Sequence, residues 1–78
     1  MSADIYHTPP AKHSVTLHGH RTSLTLEPAF WDALQLHAQK TGVSLNALIA
    51  DIDEKKGANT LTSAVRLYLF SLAKAGQL

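Results

Sequence analysis

Between Ser14 and Leu26 apolar and polar residues alternate, and the alternation changes phase once. Val15 and Leu17 hold odd positions, whereas Leu24 and Leu26 hold even ones. A strand sends successive side chains to opposite faces, so one unbroken strand would split these four between two faces. Gly19 stands at the break, and two arrangements restore a single apolar face. Gly19-His20 can be the two-residue turn of a hairpin, with Leu17 opposite Thr22 and Val15 opposite Leu24. Alternatively, Gly19 can mark a bulge in one longer strand, which also shifts the parity. The residues are consistent with both.

After Leu26 the period becomes helical. Pro28 suits the first position of a helix, where its missing N–H is harmless, and Glu27 sits just before it near the positive end of the dipole. Phe30, Trp31, Leu34 and Ala38 form an apolar stripe, which marks Phe30 and Trp31 as core residues, and Thr41-Gly42 ends the helix. His37 falls near the polar side of this helix and is expected in solvent. Ser44 is a good N-cap for a second helix carrying Leu45, Leu48, Ile49 and Ile52, closed by Lys55-Lys56-Gly57. After Ala58-Asn59-Thr60 a third helix runs through Val65, Tyr68 and Leu72 towards Gly76. Residues 1–12, with Pro9-Pro10, show no periodicity and are expected to form a flexible arm, leaving 13–78 as the folded domain.

A short β segment followed by three helices poses a burial problem. Seventy-eight residues make one small domain without a cysteine to staple it, yet 45% of them are hydrophobic. A lone strand leaves unpaired N–H and C=O groups, which pairing with the same strand of a second copy would satisfy. Ala64, Val65, Leu67, Tyr68, Leu69, Phe70 and Leu72 cover nearly the whole circumference of the third helix, more than two short neighbours can bury. A homodimer is therefore expected, with Leu24, Leu26, Val65, Tyr68 and Leu69 in its core.

The net charge of +1 does not by itself favour any partner. Its distribution is more informative. Residues 1–26 carry Lys12 and Arg21 against Asp4, whereas residues 27–57 hold five of the six acids against three lysines. An anion-binding face is thus expected at the N-terminal end. No run of about 18 apolar residues exists to span a membrane, and no signal-peptide pattern opens the chain, so a cytoplasmic location is expected.

The order of strand, Glu-Pro helix start, Gly-x-Ser turn and second helix resembles the ribbon-helix-helix superfamily of Arc- and Met-repressor-like proteins. Gly19-His20-Arg21-Thr22-Ser23, Leu26-Glu27, Phe30-Trp31 and Leu34 resemble more closely a stand-alone bacterial ribbon-helix-helix family. Leu45-Asn46-Ala47-Leu48-Ile49 and Ser63-Ala64-Val65-Arg66-Leu67 fit the same pattern, over residues 13–72. The resemblance implies a mainly α fold with a short β-ribbon, an intertwined homodimer, and binding of the ribbon in the major groove of double-stranded DNA for transcriptional regulation. This chain departs from the simplest plan by its third C-terminal helix and by the 14–18 segment.

With Leu24 and Leu26 turned inward, Arg21, Ser23 and Thr25 face outward as the expected base contacts. Arginine can bond guanine through O6 and N7, and short hydroxyls suit several bases. Ser44 with the backbone N–H groups of Leu45 and Asn46 offers a phosphate clamp, and Lys12 and His20 are further phosphate candidates. His18-Gly19-His20 makes only half a metal site, so neither metal nor cofactor is expected. No paired acids, activated nucleophile or glycine-rich phosphate loop argues for an enzyme. Two other readings compete. One is a protein-interaction module, such as an antitoxin-like component with an unidentified protein partner, although the chain ends about where its third helix ends and leaves no long tail to wrap one. The other places the third helix in the groove as part of a helix-turn-helix, with Arg66 reading bases.

Overall fold

The computed structural model describes residues 8–78. The strands β1 (Ala11–Leu17) and β2 (His20–Leu26) are followed by the helices α1 (Pro28–Thr41), α2 (Leu45–Lys55) and α3 (Leu61–Lys74). The phase slip is resolved as a hairpin, but its turn is His18-Gly19, one residue earlier than Gly19-His20. His18 and Gly19 both have positive φ, 52° and 78°. Two successive positive φ values make the turn that matches the twist of paired strands. Leu17 consequently pairs with His20, Val15 with Thr22 and His13 with Leu24. This register differs by two residues from the expected one. A two-residue slip leaves every side chain on its face, so Val15, Leu17, Leu24 and Leu26 still share the buried side.

β1 also starts earlier than the alternation suggests. Ala11 pairs with Leu26 and Lys12 with Thr25, so Lys12 belongs to the sheet and not to an arm. The inward residue that extends the pattern is His13, which no hydrophobic count would flag. Its ring stacks on Trp31, with centroids 3.7 Å apart and planes 6° from parallel. Residues 1–7 of the expected arm lie outside the described residues.

The helices start and stop where the chemistry of their ends directs. Pro28 opens α1, and Gly42 closes it in the left-handed conformation at φ 74°, its N–H reaching back to the carbonyls of Ala38 and Gln39. Ser44 caps α2 by accepting the Ala47 N–H, and Thr60 caps α3 by accepting that of Ser63. β1 packs against α2 and β2 against α3, while α1 touches both other helices.

One chain closes this core. Leu26, Leu34, Ile49 and Val65 are wholly buried. Four residues expected in a dimer core, Leu24, Leu26, Val65 and Leu69, are at most 3% exposed without a second copy. The hairpin provides the cover expected of a partner, and β1 supplies the hydrogen bonds expected of a partner strand. Tyr68, the fifth, is half-buried and meets His37 edge-on at 5.8 Å. His37 is thus packed rather than solvated, with its Nδ1 enclosed. Phe30 and Trp31 lie at the margin of the core, half-buried. Leu67 and Phe70 remain outside at 56 and 62% exposure.

Candidate nucleic-acid interface

The register assigns every hairpin side chain to a face. The outer face carries Lys12, Ser14 and Thr16 from β1 and Arg21, Ser23 and Thr25 from β2, all exposed. Across the hairpin they form the pairs Lys12–Thr25, Ser14–Ser23 and Thr16–Arg21. The face contains two cations, four hydroxyls and no acid. The expected base contacts Arg21, Ser23 and Thr25 therefore lie together, and Lys12 joins them as a strand residue. Ser14 and Thr16 escape sequence reasoning. Their signal is present in the alternation of residues 14–18, but whether that segment lies beside β2 depends on the turn.

His20 does not belong to this face. It is the first residue of β2 and lines a hollow with Leu17, His18, Thr22 and Asp53 on the helix side. At the nearby end of α2 the Glu54 carboxylate lies 3.8 Å from His18 Nε2, and Asp53 is 4.0 Å from the Lys56 ammonium. His20 thus lies apart from the outer face, beside the C-terminal end of α2 with its mixed charges Asp53, Glu54, Lys55 and Lys56. The opposite, positive end of α2 carries the exposed Ser44 and Asn46 and the half-buried Leu45. It lies about 16 Å away along an 11-residue helix. Ser44 Oγ accepts the Ala47 N–H at 3.0 Å. Among the described residues, no three histidines or acids gather as a metal site.

Arg66 is committed elsewhere. Its guanidinium donates three hydrogen bonds of 2.7–3.1 Å to the two Glu27 carboxylate oxygens and lies 6.0 Å from the centre of the Phe30 ring. The Arg66 hydrogen bonds, helped by a backbone N–H, hold the Glu27 carboxyl below its ordinary range. This pair ties the end of β2 to α3. It explains why Glu27, in the N-cap position of α1, makes no side-chain cap. It also removes the polar reading residue that a helix-turn-helix use of α3 would need. Beside it, α1 and α3 form an open apolar groove of about 460 Å³ lined by Phe30, Ala33, Leu67, Leu69 and Phe70. No helix among the described residues is long and apolar enough to cross a membrane.

Comparisons with known proteins agree with this architecture. The solved structure of an uncharacterized protein from Bordetella pertussis Tohama I superposes with a TM-score of 0.68 at 28% identity. The match covers 88% of this chain and 62% of that one, so the present chain spans less than two thirds of its neighbour's length. No curated protein matches the chain. A family model described as a ribbon-helix-helix domain matches residues 10–72. Domains of this kind are generally non-enzymatic, bind DNA as transcription regulators and typically dimerise. From the start of β1 to the last turn of α3, this chain belongs to the ribbon-helix-helix domain family.

Proposed function

We propose that the protein is a sequence-specific DNA-binding transcription regulator, working as a homodimer in the cytoplasm, with the outer face of its hairpin in the major groove. The observation that carries this reading is the composition of that face: Arg21, Ser23 and Thr25 exposed together, with Lys12 beside them and no carboxylate among them. Arg21 is the base-reading residue for guanine, and Ser23 and Thr25 supply adaptable hydroxyls. The N-terminus of α2, with Ser44 and the N–H groups of Leu45 and Asn46, is the proposed phosphate contact.

A second copy is the proposed occupant of the groove between α1 and α3. Arg66, its one charged lining residue among those described, is already neutralised by Glu27. Two such faces could bury Leu67 and Phe70 without stranding a charge. Phe70→Ser should then shift the sedimentation of the protein to that of a single chain. A variant that stays dimeric would move the interface elsewhere.

The DNA reading is tested by anisotropy with labelled duplexes over a salt series. Affinity should fall with salt, by roughly 0.9 in the log–log slope for each phosphate neutralised. Arg21→Ala should weaken binding to a preferred duplex and leave the circular dichroism spectrum unchanged. Failure of the intact protein to retain any duplex at low salt would refute the proposal.

A further inference from the structure

We infer that Arg66 acts on DNA binding through Glu27: its guanidinium holds the carboxylate that the alternation of β2 would deliver to the DNA-facing side, and so keeps the end of that face free of negative charge. This rests on the DNA-binding reading above and goes beyond it, giving a part in recognition to a residue that touches neither base nor phosphate.

The first support is the alternation itself. Arg21, Ser23 and Thr25 are exposed, whereas Leu24 and Leu26 are buried. Glu27 follows with the parity of the exposed set, and its backbone is still extended, at φ −62° and ψ 143°. Pro28 favours that conformation in the residue before it. The next side chain in the outward series is therefore an acid. Two residues of strand span about 6.6 Å, less than the Debye length of about 8 Å at physiological salt. A free Glu27 carboxylate would repel any phosphate lying against Thr25.

The second support is the way the carboxylate is held. α1 does not take it, since Glu27 makes no side-chain cap. Arg66 donates to both of its oxygens, at 2.7–3.1 Å, from a helix 39 residues further along the chain. The guanidinium in turn lies 6.0 Å from the centre of the Phe30 ring, which steadies it by cation–π attraction. Glu27 is half-buried as a result, although the residues before it in the outward series are exposed.

Stability alone does not account for the arrangement. The Arg66 and Glu27 side chains are 38 and 33% exposed, and pairs this accessible contribute little to folding. The Glu27 carboxyl titrates below its ordinary value of 4.5, and at that ordinary value it would still be ionised at neutral pH. Loss of Arg66 therefore releases a negative charge, not a neutral side chain.

The test measures affinity by anisotropy at low salt, on a duplex that the intact protein has selected from a random pool. Arg66→Met keeps an apolar chain against Phe30 and should weaken binding about 5-fold, through repulsion between the freed carboxylate and phosphate. Arg66→Gln, a second neutral replacement, serves the same comparison if Arg66→Met does not fold by circular dichroism. Glu27→Gln should bind no more weakly than the intact protein. The double variant Glu27→Gln/Arg66→Met should recover the intact affinity, although the ion pair is gone. Arg66→Met/Glu54→Gln has the same net charge but loses its acid beside His18, at the hairpin tip, and should stay weak. If Glu27→Gln, Arg66→Met and their double variant are all weakened alike, the pair only braces the end of β2, and the inference is overturned. It is equally overturned if Arg66→Met binds normally, or if the Glu54→Gln combination recovers as well. If the intact protein selects and retains no duplex, the DNA-binding reading itself falls before any variant is compared.

Discussion

Leu26 is wholly buried at the end of β2, in a core closed by a single chain, and truncating it measures how complete that closure is. Burying a leucine side chain contributes about 1.5–3 kcal/mol. Leu26→Ala also leaves a cavity that hairpin and helices cannot fully collapse, and the sum is about 3–5 kcal/mol. The 71 residues of the described fold should have a total stability of about 4–11 kcal/mol. The variant therefore loses at least about a quarter of it. With an unfolding entropy of about 2.1 cal/mol/K per residue, a loss of 3 kcal/mol lowers Tm by about 20 °C. Urea unfolding followed by circular dichroism should show a lower midpoint at an unchanged slope. Leu67→Ala makes the same chemical change at a position 56% exposed. Measured dilute enough to dissociate any dimer, it should alter stability by no more than about 0.5 kcal/mol. A loss below about 1 kcal/mol for Leu26→Ala, or equal damage from both variants, would refute the single-chain core.

Other outcomes follow from the turn, the ion pair and the ring stack. Gly19 has φ +78°, and a methyl group added there would meet nothing within 4 Å. Gly19→Ala should therefore destabilise by backbone strain alone, by about 1 kcal/mol in urea unfolding. Because Glu27 titrates below its ordinary value of 4.5 in the folded protein, its contribution is present above that value and is lost as pH falls through the lower folded one. Acid titration followed by Tm should show this loss, and Glu27→Gln should remove that part of the pH dependence. Burial, and secondarily Asp51, raise the Tyr68 hydroxyl above 10.0. Absorbance of the phenolate should therefore appear later in alkaline titration of the native protein than of the unfolded chain. Trp31 is the sole tryptophan, so His13→Ala, which uncovers its ring face, should shift its emission to longer wavelength.

Much of the molecule is legible in the residues because the rules involved are local. The two-residue period assigns Leu24 and Leu26 inward and Arg21, Ser23 and Thr25 outward. That assignment survives an error of two residues in register, since an even slip preserves every face. Helix limits are equally local: Pro28, Gly42 and Ser44 act on backbone groups within one turn of themselves. Sequence reasoning goes astray where polar residues take apolar places. His13 extends β1 by stacking on Trp31, and His37 packs against Tyr68.

The sequence by itself determined that a strand-like segment with one polar and one apolar face precedes three capped helices, because periodicity and end chemistry need no distant partner. Only the tertiary structure decided what the strand pairs with and who closes the core. Positive φ at His18 and Gly19 folds β1 back on β2, giving the strand its partner within the chain. The hairpin then covers α2 and α3. Glu27 meets Arg66 across 39 residues of sequence, taking the one charged lining residue of the apolar groove among those described out of contention for DNA. These are encounters between segments far apart in the chain, and no local pattern encodes them.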